Sequence, residues 1–151
     1  MPMRRIRLVP PVYFLVALAL QLVLDRLLPA AELLRPGWRW LGLLLLVPAF
    51  LLAAPAARAL ARRHTTLHPF GAPSQLVTDG PYRYTRNPLY LALACILLGV
   101  AVWLGSLAAL LVVPAFAWAI TVVFIRHEEQ VLADTFGEAF AAYCRCVRRW
   151  I

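Results

Sequence analysis

Long apolar runs broken by short polar stretches dominate the chain. Leu8 to Leu28 is the first run, with Pro10 and Pro11 near its start and Asp25 and Arg26 near its end. Trp38 and Trp40 open the second run, which continues to about Leu60. Tryptophan at such a position suits a membrane–water interface. Pro48 and Pro55 are expected to kink this helix, a distortion that membrane helices tolerate. Between Pro88 and Ile125 there is no charged residue. As one helix, this stretch would be about 55 Å long at 1.5 Å per residue. A bilayer's hydrocarbon core is only about 30 Å thick, so the run must fold back on itself. Gly105-Ser106 supplies the turn, with Trp103 beside it.

The pattern therefore predicts an all-α, polytopic membrane fold in a single domain, 1–151. It has about four transmembrane helices, near 8–28, 40–60, 89–104 and 107–125. Residues 61–88 are polar, carry no helical period, and are expected to form an ordered loop or re-entrant segment at the membrane surface. The closing segment, 126–151, is amphipathic: Val131, Leu132, Phe136, Phe140, Tyr143 and Val147 recur at helical spacing, with Gly137 as an interruption. It is expected to lie along the interface with its aromatic side chains facing the lipid.

Composition strengthens this picture. Of the 151 residues, 63% are hydrophobic and 15% charged. A soluble domain has roughly 45–50% and about 25%. The net charge of +8 comes from 15 basic residues, all of them arginine. They cluster beside apolar runs, which points to anionic lipid headgroups and away from nucleic acid. The run after Arg4, Arg5 and Arg7 is long for a signal peptide, and Pro29-Ala30-Ala31-Glu32 is a poor cleavage site, so a retained first span is expected. Arginine counts set the orientation. A four-span topology puts twelve arginines on one side and only Arg26, Arg35 and Arg39 on the other. Both termini and the central loop are thus expected to be cytoplasmic. Cys95, Cys144 and Cys146 form neither a CxxC pair nor a zinc pattern, and reduced thiols are expected.

The hairpin also locates candidate chemistry. Its arms are nearly equal, so residues just before the third span meet residues just after the fourth. Arg86-Asn87-Pro88-Leu89-Tyr90 is brought to Arg126-His127-Glu128-Glu129. Basic, acidic, aromatic and amide groups then converge at the mouth of the bundle, a setting suited to an ionic small molecule. Glu128 and Glu129 are adjacent on a helix and point about 100° apart, so one is expected to face the site squarely, with Glu129 preferred.

These residues also carry a resemblance. Asp79-Gly80-Pro81-Tyr82-Arg83-Tyr84-Thr85-Arg86-Asn87-Pro88-Leu89-Tyr90 resembles the signature of the isoprenylcysteine carboxyl methyltransferase family, shared with related phospholipid N-methyltransferases. Glu128-Glu129, Phe136-Gly137-Glu138-Ala139-Phe140, Tyr143 and Val147-Arg148-Arg149-Trp150 resemble that family's C-terminal motif. The resemblance implies a methyltransferase using S-adenosylmethionine, with Arg86 and Glu129 as its catalytic residues. The cofactor set it implies comprises Gly80, Tyr82, Tyr84, Arg86, Asn87, Pro88, Tyr90, Glu128 and Glu129. The family most often has His before the proline. Asn87 stands there instead and cannot carry a proton.

The chemistry is compatible with that cofactor. Arginine can grip its carboxylate in a bidentate pair, a glutamate can hold its ammonium or ribose hydroxyls, and a tyrosine can stack on adenine or face the sulfonium. The implied acceptor is a lipophilic or membrane-associated molecule: a prenylcysteine-like carboxylate, a phospholipid amine or a thiol. An amine or thiol must lose a proton, for which His127 is the nearest base.

Other readings remain open at this point. Arg83 and Arg86 also suit phosphate anchoring, His127 an interfacial position, and Phe140 and Tyr143 plain packing. His64 and His68 have no partner at metal-ligand spacing, so no metal site is expected. The glycines form no dinucleotide fingerprint. An NADPH-dependent reductase related to the membrane sterol reductases is a second enzymatic reading. A non-catalytic membrane protein that keeps the fold is a third.

Overall fold

In the computed structural model, residues 9–28, 36–62 and 74–151 are described. Arg4, Arg5, Arg7, Leu8, Arg35, Arg63, His64, His68 and the Pro29–Glu32 stretch lie outside the described residues. Among the described residues the secondary structure is helical, without strands. Helix α1 covers Pro10–Leu27. Its two prolines fall at the start, where a missing N–H costs nothing. A short 3₁₀ turn, Pro36–Trp38, leads to α2, Leu41–Leu44, and α3, Leu46–Arg62. Pro48 accounts for the break at Leu45, because a proline ring crowds the carbonyl four residues earlier, here that of Leu44. Pro55 lies inside α3.

Helix α4, Pro88–Leu104, and helix α5, Leu107–Ile120, form the hairpin. Gly105 takes φ 70° and ψ 21°, a left-handed conformation that glycine adopts without a Cβ penalty. Its N–H reaches the Ala101 carbonyl at 3.0 Å. Ser106 then caps α5 by accepting the Ala109 N–H at 3.3 Å. The helix does not stop where the apolar run ends. A π-helical segment, Thr121–Ile125, passes without interruption into α6, Arg126–Phe136. No breaker occurs until Gly137, whose φ of 48° turns the chain into α7, Glu138–Cys146.

Pro10–Leu27, Leu41–Arg62 and Leu107–Phe136 are long and apolar enough to cross a membrane. Helix α4, at 17 residues, sits at the short end of what a span requires. The exposed leucines, valines and phenylalanine of α1 and α3, such as Leu15, Leu20, Val47, Phe50 and Leu51, are the surface expected toward lipid. The chain is thus a polytopic integral membrane protein. Helix α4 packs against α3 on one side and α5 on the other, while α1 lies across α5 and α4.

Helices α2 and α4 meet at glycine on both sides. A Cβ on Gly99 would lie 2.7 Å from the Gly42 carbonyl, and one on Gly42 would strike the α4 backbone. Small residues allow such close approach in membranes, where packing replaces the hydrophobic effect between helices. The core between α1, α4 and α5 is apolar, built on Leu97, Phe116, Ile120, Phe124 and Ile125. Tyr13 meets Phe124 edge-on, with ring centroids 5.2 Å apart. One polar group sits within it. Gln21 is fully buried and donates to the Leu97 and Ala109 carbonyls, both at 3.0 Å, stitching α1 to both arms of the hairpin.

Candidate functional site at the hairpin mouth

The open end of the α4–α5 hairpin gathers four segments. Gly80–Arg83 is a 3₁₀ turn that rests against α3. Gly80 enters it with φ 60°, which favours glycine. The chain then runs through Thr85 and Asn87 to Pro88, the first residue of α4. Opposite lies α6 with its two glutamates. The C-terminal segment Val147–Trp150 fills the gap between them.

Two ion pairs centre on Glu129. Arg149 grips it as a fork, with Nε 3.0 Å from Oε1 and Nη2 2.6 Å from Oε2. Arg86 Nη2 lies 3.3 Å from the same Oε1. The Arg86 and Glu129 side chains are only 15% and 17% exposed, and that of Arg149 is 37% exposed. Arg86 also donates to the Cys144 sulfur through Nη1. Its Nε is buried and makes no hydrogen bond. An orphaned donor of this kind is costly in a dry site and invites an acceptor from a ligand.

Glu128 turns the other way. The Tyr90 hydroxyl donates to its Oε1 at 2.6 Å. The adjacent glutamates therefore divide the site, one set toward the α4 tyrosine and one toward the arginines. Both stay half-buried because the site wraps around this face of α6. The Tyr143 hydroxyl donates to the Tyr82 carbonyl at 2.6 Å and ties α7 to the turn. Burial, the largest cause, together with the neighbouring Tyr143 and Glu128, raises the Tyr82 hydroxyl above its ordinary value. Burial likewise pushes Tyr143 up to about 12, against the opposing pull of Arg86. Both rings thus stay neutral and available as donors at physiological pH. Hydrogen bonding to Glu129 raises the Arg149 guanidinium above its usual value, so Arg149 stays protonated.

Arg86, Tyr90, Glu128 and Glu129 come together, with Tyr82 at their edge and Pro88 buried beneath. Asn87 points elsewhere: its Nδ2 donates to the Arg149 carbonyl at 3.0 Å. Tyr84 is 78% exposed and stands apart from the cluster. A Cβ on Gly80 would meet nothing within 4 Å, so that glycine shapes the turn without crowding a neighbour. His127 is half-buried on α6. Sequence reasoning missed the roles of Arg149, Thr85 and Cys144. The Val147-Arg148-Arg149-Trp150 pattern was the available signal for Arg149, but nothing local marks which arginine turns inward. All three cysteines are free thiols. Among the described residues, no group of three or more His, Cys, Asp or Glu side chains could hold a metal ion.

Comparison with known proteins bears on this arrangement. The sequence profile described as phospholipid methyltransferase matches residues 38–139. An uncharacterized protein of Haemophilus influenzae is 40% identical over 63 residues, which is 42% of this chain and 100% of that protein. Protein-S-isoprenylcysteine O-methyltransferase of Schizosaccharomyces pombe is 34% identical over 68 residues, 45% of this chain and 29% of that enzyme. The solved eukaryotic intramembrane Ras methyltransferase, isoprenylcysteine carboxyl methyltransferase, superposes with a TM-score of 0.65 at 20% identity. That match covers 93% of this chain and 51% of the other, so this chain spans about half of the solved protein.

Proposed function

Since the chain belongs to the phospholipid methyltransferase family, we propose that it transfers a methyl group from S-adenosylmethionine to a lipophilic or membrane-embedded acceptor. The observation that carries this reading is the cluster at the hairpin mouth: two half-buried glutamates, two arginines paired with one of them, and an orphaned Arg86 Nε. Bound there, S-adenosylmethionine supplies an electrophilic methyl group on a sulfonium. The residues present fit its charged and polar groups. Arg86 offers its spare N–H to the cofactor's carboxylate. Glu128 and Glu129 offer oxygens to its ammonium or ribose hydroxyls, and Tyr82 and Tyr90 present ring faces to its adenine or sulfonium.

Alignment carries most of the rate in such a displacement. The Arg86–Glu129–Arg149 network holds those side chains in place before a ligand arrives. The site lies where α4 begins and α6 continues the apolar helix, so an acceptor with a hydrocarbon body can approach it from the bilayer. His127 on α6 can take a proton from an amine or thiol acceptor, and a carboxylate acceptor needs none. The arginine distribution supports a cytoplasmic position for the site and both termini.

Membranes carrying the chain, incubated with methyl-labelled S-adenosylmethionine and extracted into lipid and protein fractions, test this reading. Label is expected in an apolar fraction, with loss of at least about 30-fold in Glu129→Gln, from about 2 kcal/mol for a charge-assisted contact. Equal labelling with the wild type and Glu129→Gln would remove the site from the reaction.

A further inference from the structure

We infer that Arg149 is a positioning residue for methyl-donor binding, the acting part of a C-terminal clasp that joins the two halves of the site. This rests on the methyltransferase reading above. The two halves are the segment leading into α4 and the start of α6, joined along the chain by the hairpin and across the mouth by the Tyr90–Glu128 and Arg86–Glu129 contacts. Val147–Trp150 bridges them directly at the open end. The Arg148 carbonyl accepts the Arg86 N–H at 3.0 Å. The Arg149 carbonyl accepts from Asn87 Nδ2 at 3.0 Å and from Thr85 Oγ1 at 3.3 Å. One residue on, the Trp150 indole donates to Thr121 Oγ1 at 3.3 Å, at the start of the π segment. Val147 is buried and Trp150 packs on the core, so the segment is pinned at both ends. Arg149 thus holds one half of the site with its backbone and the other with its side chain.

Orientation, more than charge, is what Arg149 adds. Arg86 already supplies a cation to Glu129. A second guanidinium is redundant for neutrality, but its two-point grip fixes the carboxylate plane, which a single contact does not. A carboxylate fixed in advance loses less freedom when a ligand binds. Asn87 fits the same scheme. At this position its amide serves as a strut to the clasp, leaving the Arg86 and Glu129 side chains to face the ligand.

Calorimetric titration of the full-length protein in detergent with S-adenosylmethionine tests this, comparing wild type, Arg149→Ala, Arg149→Lys and Arg62→Ala. Arg62 is an exposed arginine at the end of α3 and controls for the lost charge. The clasp predicts a Kd raised about tenfold in both Arg149 variants, the scale of one lost charge-assisted bond, with unchanged stoichiometry, and no change in Arg62→Ala. Lysine keeps the charge but cannot form the fork, so wild-type affinity in Arg149→Lys would overturn the inference. A reduced stoichiometry at unchanged Kd would also overturn it, since that is the mark of partial misfolding. Binding by the wild type with either of those results leaves the methyltransferase reading intact. No binding by folded wild type removes both.

Discussion

At the scale of single residues, the site is a set of buried polar groups with assigned partners and one orphan. Tyr143 shows how such a group can be tested. Its hydroxyl donates at 2.6 Å to the Tyr82 carbonyl, which only the neutral phenol can do. Its folded value lies at about 12, above the ordinary 10.0. The stabilisation is therefore fully present below pH 10 and is lost as pH rises through about 12. Tyr143→Phe is expected to cost about 1 kcal/mol near neutral pH and to blunt the alkaline loss of stability, as read from thermal melts between pH 9 and about 12. An unchanged alkaline profile in the variant would count against burial of this phenol as the source of the shift. The sequence brought Arg86, Tyr90, Glu128 and Glu129 to one place through hairpin geometry. It did not reveal how the glutamates divide or that Asn87 faces the tail, because those depend on helix rotation and on a segment far along the chain.

Elements impose the next level of order. The π segment Thr121–Ile125 is the feature that sequence pattern could not anticipate. A π turn inserts a residue into the helix and rotates the succeeding residues by about 100°. Glu128 and Glu129 turn with it as a unit and stay about 100° apart, so one reaches Tyr90 and the other the arginines. The hairpin turn, by contrast, was legible, because length forces the reversal and Gly105-Ser106 is the sole glycine–serine step in the run. Helix contacts were less legible: nothing in the sequence around Gly42 and Gly99 pairs them, yet their backbones nearly touch. Gly42→Ala should lower stability by about 1–3 kcal/mol, the usual cost of overpacking. Gly37→Ala, with nothing within 4 Å, should leave it unchanged. Melting curves of the two variants in one detergent give the comparison, and equal midpoints would refute the close contact.

The whole molecule is a small helical bundle whose polar chemistry is concentrated at one end. Its all-α, polytopic character was readable from the apolar runs because a lipid environment demands them. Orientation is the prediction that belongs to this scale. Cys146 is exposed near the site end. In a variant retaining it as the sole cysteine, a membrane-impermeant maleimide should label cells only after permeabilisation. Labelling of intact cells would invert the topology. The most direct test of the central claim is a calorimetric titration of the purified protein with S-adenosylmethionine and, separately, with NADPH, alongside Arg86→Ala and Glu129→Ala. The account predicts saturable binding of S-adenosylmethionine alone, weakened by at least about tenfold in both variants. Binding of NADPH instead, or S-adenosylmethionine affinity untouched by either substitution, would contradict it.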